Sequence, residues 1–332
     1  MDNLSEKHYE ELNRIVNDFL HNQSNDFYIN NLEAILKSIY DIIDEDYLPT
    51  EDSHYSINYS TNEYLDMISK FLKSLDPTLE SQFLNIISQV DENGTPFVHF
   101  INADENYYKL HPEELSDSLK KELDNDNRAT KDGIYIHLEN NLNDIFTIIH
   151  ELFHHMNSVK IVILPYQEVT ATTFTHGFYT EAVSVIAEKF LGNYLLQNGL
   201  IKKNDYNIRM NLRLNWAKLH STWALLEIIF IKMKQEDIKI NISNFLDYSL
   251  HNMNLEYLYK IIAMINSMSN QFILQILNVG ELELPEHQKY IAAQSISNKM
   301  NYDKDGISKF LKLNKDVGDV NSTLITKDTR LL

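Results

Sequence analysis

A pair of histidines in one helix-forming segment constrains this chain more than any other feature. The segment contains the run His150-Glu151-Leu152-Phe153-His154, so its two histidines stand four positions apart. On an α-helix this spacing places both imidazoles on one face, about one turn apart, where a single zinc ion can bridge them. Glu151 would then stand beside the water of the site as its proton acceptor. The run therefore predicts a helix that supplies two metal ligands and a base.

The surrounding residues predict that this helix is largely buried. Asn140 or Asn141 is the expected N-cap, and Asp144 falls in the first turn, where the helix dipole favours an anion. A histidine on an apolar helix is more often a hydrogen-bonded core residue than a ligand. Against that alternative, burying the ionisable Glu151 in the same helix is costly without a partner. Apolar residues recur at three- and four-residue steps, namely Leu142, Ile145, Phe146, Ile149, Leu152 and Phe153.

A third ligand is expected from a second apolar segment, residues 180–190. A catalytic zinc site has three protein ligands and one open position. The metzincin arrangement would need a histidine at position 160, which is a lysine here. Instead, Glu181 and Glu188 stand seven apart on one helical face. Glu181 can complete a His-His-Glu site, and Glu188 can hydrogen-bond a ligand histidine. The small and apolar neighbours of both acids disfavour the alternative that they are merely solvated.

Two other histidines are alternative ligands. His155 is one residue past His154, about 100° around the helix from the face of the histidine pair. His176 lies five residues before Glu181 and so faces a different side of that segment. Both fit the motif less well than Glu181 does.

With these residues in view, the chain resembles the zinc oligopeptidases of the oligoendopeptidase F and thimet type, which are gluzincin metallopeptidases. The resemblance covers about residues 130–200. It implies one zinc ion per chain, held by His150, His154 and Glu181, with Glu151 as the catalytic base. The matching motifs are Asp144-Ile145-Phe146-Thr147 leading into His150-Glu151-Leu152, and Glu181-Ala182-x-Ser184-x-x-x-Glu188.

The chain departs from the family pattern at three places. The family usually has glycine where Phe153 stands and histidine where Asn157 stands. Neither position is a ligand, so the expected consequence is a different cleft floor. The family also has a C-terminal stretch rich in histidine and tyrosine that donates hydrogen bonds to the developing oxyanion. Its best counterparts here are residues 271–275, which lack both residue types, and His287 with Tyr290, although such residues more often coat a helix.

Composition excludes several other classes of protein. The formal net charge of −19 argues against sequence-independent nucleic-acid binding and against anionic membranes. There are no cysteines, which leaves histidine and carboxylate as the metal ligands. The acidic N-terminus does not resemble a signal peptide, and no apolar run reaches the roughly 18 residues that span a bilayer. We therefore expect a cytoplasmic protein, with signal-less export as the alternative.

The expected fold is mainly α, of the gluzincin type, with a small β-sheet lining the zinc cleft. Residues 1–129 are predicted as an N-terminal helical lobe with one or two strands, and 130–332 as the zinc-binding lobe with C-terminal helices. Residues 134–138 alternate cleanly and predict a strand at the cleft, expected as the edge that pairs with an extended peptide. The polar tail from residue 314 is expected to be loosely ordered. Helices are predicted at 6–21, 32–43, 64–75, 79–90, 112–123, 208–234, 245–250, 255–277 and 288–300, and a first strand at 96–101.

The expected activity is that of a zinc metalloendopeptidase acting on peptides or unfolded protein segments. The main alternative is a catalytically weak, zinc-containing protein that binds peptides and does not cut them. The missing histidine- and tyrosine-rich stretch favours the alternative, and the presence of Glu151 opposes it, because binding alone needs no base. Hydrolysis of a non-peptide amide is a third possibility that the sequence leaves open.

Overall fold

The computed structural model describes residues 58–90, 94–102, 128–129, 133–158, 166–252 and 286–317, together with Tyr55 and some residues between 10 and 42. This part of the chain is mainly helical, as predicted. The predicted helices at 112–123 and 255–277 lie outside it. The helices are α1 (Thr61–Leu75), α2 (Pro77–Ile87), α3 (Asn143–Ser158), α4 (Tyr166–Gln197), α5 (Lys203–Gln235), α6 (Ile242–Asn252), α7 (Glu286–Asn298) and α8 (Lys304–Val317), and the strands are β1 (Val98–Asn102), β2 (Arg128–Ala129) and β3 (Ile134–Leu138).

Local capping explains where the first two helices begin. The Ser60 hydroxyl accepts the backbone N–H of Glu63, and the Glu63 carboxylate accepts the backbone N–H of Ser60. This reciprocal pair satisfies two donors that the start of α1 would otherwise leave unpaired. Asp76 ends α1 and caps α2, whose first residue is Pro77. Proline is well suited to that position because its missing N–H is not needed there.

The three strands form one small sheet in the order β1-β3-β2. β1 and β3 are parallel from Val98↔Ile134 to Asn102↔Leu138, and β2 pairs antiparallel with the first two residues of β3. The predicted strand 134–138 is therefore present, but it is the central strand and not an edge. β1 occupies one side of β3, and β2 covers only its first two residues on the other side. Pairing of an extended peptide along this strand therefore stays a prediction.

Helix α4 is the centre of the core. From Tyr179 to Leu191 it is buried on every side except at Lys189, which is why small and apolar residues surround its two acids. Helices α1, α3, α5, α7 and α8 all pack against it. Residues of α1, α2 and β1 join α3 and α4 in one hydrophobic cluster. Both sides of the predicted boundary at 129/130 thus share a sheet and a core, and the two-lobe assignment stays a prediction.

Helix α8 corrects the first four residues of the expected loose tail, 314–317, and residues 318–332 lie outside the described part of the chain. The helix continues to Val317, with Phe310, Leu313 and Val317 buried. The Phe310 ring packs edge-on against Phe153 and Phe190. Its four lysines and two aspartates hide this apolar stripe in the sequence, and tertiary packing decides its structure. None of the described helices is both long and apolar enough to cross a membrane.

Candidate metal centre

The start of α3 is fixed by polar contacts, which set the direction of the helix that carries the histidines. The Asn141 carboxamide oxygen accepts the backbone N–H of Asn143 at 2.7 Å, which is the expected capping contact. The buried Asp144 carboxylate accepts the backbone N–H of Glu139 at 2.8 Å. From α1, the Tyr64 hydroxyl donates to the Asn141 carbonyl at 3.0 Å. The entry into α3 is thereby tied to the neighbouring helix.

The predicted ligands meet at one point between α3 and α4. The Nε2 atoms of His150 and His154 lie 2.8 Å apart. The Glu181 carboxylate faces both imidazoles, with Oε1 3.5 Å from His150 Nε2 and Oε2 3.2 Å from His154 Nε2. Glu181 is almost fully buried, whereas the histidines are 15% and 23% exposed. Within the described residues, this is the one group of three histidine or carboxylate side chains whose ligand atoms lie within 4.8 Å of one another.

The spacing of these atoms fits a divalent metal ion. Zinc bound tetrahedrally at about 2.0–2.1 Å from each ligand would separate the ligand atoms by about 3.3 Å. The observed separations of 2.8, 3.2 and 3.5 Å lie on both sides of that value. Shifts of about half an ångström would therefore complete the geometry. Two imidazoles and one carboxylate are also a donor set that zinc accepts.

Glu188 contacts the His150 imidazole at Nδ1, the ring nitrogen that does not face Glu181. Its Oε1 atom lies 2.6 Å from His150 Nδ1, and its Oε2 atom pairs with Arg209. A second arginine, Arg213, lies between the two acids, with Nη2 3.7 Å from Glu181 Oε1 and Nη1 3.8 Å from Glu188 Oε1. Because the carboxylate accepts the proton on Nδ1, the lone pair of His150 is placed on Nε2, towards Glu181.

The local charges shift the pKa values of all three acids. Burial opposes ionisation of Glu181, but His150, His154 and Arg213 outweigh it and lower its pKa to about 2. Burial likewise opposes ionisation of Glu188, and the two arginines together with His150 lower its pKa well below the ordinary value. For Glu151, burial is the largest influence and raises the pKa. The two acids that face arginines are thus held as carboxylates, while Glu151 has an increased affinity for a proton.

His150 itself favours protonation in the absence of a metal. Burial alone would lower its pKa, but Glu181, the hydrogen bond with Glu188 and the charges of Glu188 and Glu151 raise it. A metal ion must displace that proton to bind Nε2, so metal affinity should depend on pH.

His150, the first histidine of the pair, lines a pocket of about 380 Å³ between α3 and α5. Glu151 lines this pocket while being only 8% exposed. Arg213 and Trp216 form part of the opposite wall, with the Arg213 guanidinium 4.6 Å above the Trp216 ring. A small substrate entering the pocket would meet the ligand face of His150, the carboxyl of Glu151 and the guanidinium of Arg213 together.

Three residues that the sequence singled out, His155, Phe153 and Asn157, are buried and do not line the pocket. His155 is buried, and its ring lies 4.9 Å from that of Phe97, on the side of the sheet. The His176 side chain lies outside the described residues. Phe153 is fully buried against α8, and Asn157 is buried with its amide donating to the Phe153 carbonyl. Neither lines the pocket, and the expected difference of the cleft floor stays a prediction.

The predicted oxyanion donors lie one layer behind the pocket wall. Tyr290 packs edge-on against Trp216, with ring centroids 4.6 Å apart. His287 Nδ1 lies 2.8 Å from His220 Nδ1. His220 in turn contacts Trp216, with ring centroids 3.8 Å apart. Neither His287 nor Tyr290 is among the residues that line the pocket.

The two arginines of the site were not predicted from the sequence. A usable signal existed: two acids on one face of a buried helix need cationic partners. Arginine is the residue best suited to such buried pairs. Only five arginines occur in the chain, and Arg209 and Arg213 stand four apart on a predicted helix.

In comparisons with known proteins, no family model, no curated protein and no solved structure matches the chain. The assignment of the site therefore rests on its residues and their geometry.

Proposed function

We propose that this protein is a zinc-dependent metalloendopeptidase of the gluzincin type, acting on peptides or unfolded protein segments. The observation that carries the proposal is the convergence of His150, His154 and Glu181, with Glu151 beside them at an open pocket. Three protein ligands with one accessible side, next to a carboxyl group, are the parts that a hydrolytic zinc site requires.

Glu151 is the general base of the proposed reaction. When bound, a zinc ion in such a site polarises a carbonyl and lowers the pKa of its water to about 7. Glu151 takes a proton from the attacking water as the oxygen–carbon bond forms. It passes this proton to the amine nitrogen as the carbon–nitrogen bond breaks. Burial raises the pKa of Glu151 and so helps it to hold the proton between the two steps.

Glu188 and Arg209 position the ligand histidine and do not contact the reacting atoms. Glu188 accepts the proton of His150 Nδ1, which fixes the tautomer and the orientation of the ring. Arg209 in turn pairs with Glu188 and donates to the Asn143 carboxamide at 2.5 Å. Arg209 of α5 thus connects Asn143, at the start of α3, with Glu188 and through it with His150 on the second turn of α3.

The alternative function, a peptide-binding protein with little turnover, has one observation in its favour. His287 and Tyr290 lie behind Trp216, so the oxyanion donors expected from the resemblance do not line the pocket. The buried Glu151 argues for the hydrolase, because a carboxyl with a raised pKa beside a metal site has no use in binding alone. The same experiment separates the two functions.

The experiment compares zinc content and peptide turnover in four proteins: wild type, Glu151→Gln, Glu181→Ala and the exposed control Glu10→Gln. We expect about one zinc per chain in all except Glu181→Ala. On a quenched-fluorescent peptide library, wild type and the control should turn over, and Glu151→Gln should be slower by about 10²–10⁴-fold. Full zinc binding by Glu181→Ala would refute the ligand set. Equal rates for wild type and Glu151→Gln would favour the binding protein.

A further inference from the structure

Arg213 differs from Arg209, the other arginine of the site, because a terminal nitrogen as well as Nε lacks an acceptor. A guanidinium carries five N–H donors and always stays charged. The Nε and Nη2 atoms of Arg213 are buried and have no hydrogen-bond partner among the described residues. Its two nearest carboxylate oxygens, on Glu181 and Glu188, lie 3.7 and 3.8 Å away, beyond hydrogen-bond distance. Buried donors of a charged group are costly to leave unpaired, so their presence calls for an acceptor that arrives from outside.

Arg209 shows what a purely structural arginine looks like in the same place. It stands one turn before Arg213, pairs through Nη2 with Glu188 and donates through Nη1 to Asn143 at 2.5 Å. Its guanidinium also lies 4.8 Å above the buried Phe146 ring. Nε lacks a hydrogen-bond partner in both arginines, but both terminal nitrogens of Arg209 are engaged by protein groups, whereas Nη2 of Arg213 is not.

The position of Arg213 puts these donors next to the reacting groups. Its Nη2 atom is 3.7 Å from Glu181 Oε1, which is itself 3.5 Å from His150 Nε2. Arg213 and Glu151 line the same pocket. Trp216 lies under the guanidinium and restricts its movement. A substrate oxygen that enters the pocket beside the ligand face would thus come within reach of Nη2.

The charge of the site also favours an incoming negative charge. Glu151, Glu181 and Glu188 contribute three carboxylates, and Arg209 and Arg213 contribute two guanidinium groups. With neutral histidines, a divalent ion and the water proton on Glu151, the groups around a developing oxyanion would carry two positive charges in total. Removing Arg213 would halve that excess of positive charge.

We propose that Arg213 is a catalytic residue that hydrogen-bonds the oxygen of the scissile carbonyl as it becomes an oxyanion. The inference rests on the proposed hydrolase function. As the water oxygen bonds to the carbonyl carbon, the π electrons move to the carbonyl oxygen and the water proton goes to Glu151. Arg213 stabilises the charge on that oxygen until the carbonyl re-forms, the amine leaves and Glu151 returns the proton to its nitrogen. Tyr290 contacts Trp216 directly, and His287 contacts it through His220, so both lie behind the wall that carries Arg213.

The test uses Arg213→Met, which removes every donor, Arg213→Lys, which keeps the charge, and Arg14→Met as an exposed control. Four quantities are measured: zinc per chain, kcat, KM and the Kd of a phosphinic peptide that carries an anionic tetrahedral group at the scissile position. Binding of an uncleaved peptide is measured on the Glu151→Gln background, with and without Arg213→Met. Only an interaction made in the transition state alters kcat and phosphinate affinity without altering peptide affinity.

We expect Arg213→Met to keep its zinc, to lose about 10²–10³-fold in kcat and to bind the phosphinate more weakly by a similar factor, since a single oxyanion donor has this effect. KM and peptide binding should stay within about threefold of wild type. Arg213→Lys should fall between the two, because it retains the charge but not the planar fork of donors. Arg14→Met should match wild type.

Several results would overturn the proposal. Loss of zinc in Arg213→Met would show that the residue acts through Glu181. A raised KM with unchanged kcat would show that it binds a substrate carboxylate. If Arg213→Met does not fold, full activity of Arg213→Lys would refute the proposal. An inactive wild type would refute the proposed function itself, whereas an active wild type with equally active Arg213 variants would refute only the role of Arg213.

Discussion

Helices α3 and α5 form opposite walls of the same pocket but contribute to it in different ways. α3 supplies a histidine pair and Glu151 from five consecutive residues, and its apolar face is buried in the core. α5 supplies Arg209 and Arg213, which lie about 60 residues later and are fixed by acids of α4. The first contribution can be recognised as a local motif. The second exists only because a third helix brings the charges together.

The difference indicates that the two helices are held in place by different interactions. The position of α3 is determined by apolar packing and by its capped start, so its histidines are held even if individual charges are removed. The site-facing part of α5 relies more on ion pairs than α3 does, because Leu212, Arg213 and Trp216 are partly and not fully buried. We therefore expect core substitutions to affect α3 through global stability, and substitutions of the buried charges to affect α5 and the metal together.

The largest effect should come from the packed face of α3. Replacing Phe153 by glycine removes a fully buried ring that packs on Phe310. We expect a loss of about 4–6 kcal/mol in the free energy of unfolding, from the cavity and from glycine in a helix. Urea unfolding measures it. Phe153→Leu serves as the control and should lose far less. A mild effect of Phe153→Gly would mean that α3 is not held by its apolar face.

A somewhat smaller effect should follow from removing the acid that joins the two helices. Glu188→Ala takes the partner from His150, Arg209 and Arg213 at once. Breaking a buried ion pair by deleting one partner costs about 3–5 kcal/mol. Loss of the hydrogen bond to a ligand histidine should also weaken zinc binding by about 10–100-fold. Urea unfolding and zinc titration measure the two effects.

Glu188→Gln provides the matched control for that prediction. The amide keeps the shape of the side chain and can still accept the proton of His150 Nδ1, but it does not balance the arginines. We expect it to retain most of the zinc affinity and to lose stability. If Glu188→Gln and Glu188→Ala bind zinc equally poorly, the charge of Glu188 and not its hydrogen bond controls the metal.

The sequence predicted most of the metal centre because that part of the site is encoded locally. A four-residue spacing determines which helical face His150 and His154 share, and a seven-residue spacing does the same for Glu181 and Glu188. Strand β3 was predicted residue for residue from its alternation. Each of these features depends on a period of the backbone, which the sequence displays directly.

What the sequence could not predict depends on contacts between distant segments. The central position of β3 follows from its pairing with β1 and β2, and pairing order leaves no trace in the alternation of one strand. Helix α8 is stabilised by Phe310 meeting Phe153 and Phe190, a contact across more than a hundred residues. The same holds for the arginines of α5, whose partners lie on α4.

The smallest effect concerns how α3 begins, and it distinguishes capping from packing. Tyr64→Phe removes the hydroxyl that donates to the Asn141 carbonyl, which should cost about 1 kcal/mol at neutral pH.

Burial raises the pKa of Tyr64 to about 12, so the neutral phenol is favoured in the folded protein. The resulting stability is fully present below the ordinary pKa of about 10 and is lost as the pH rises towards 12. Wild type should therefore be more stable than Tyr64→Phe at pH 8 and lose this advantage between about pH 10 and 12, as measured by urea unfolding of both proteins. Equal stability of the two proteins at pH 8 would show that the hydroxyl does not hold the start of α3, and that apolar packing alone positions the histidines.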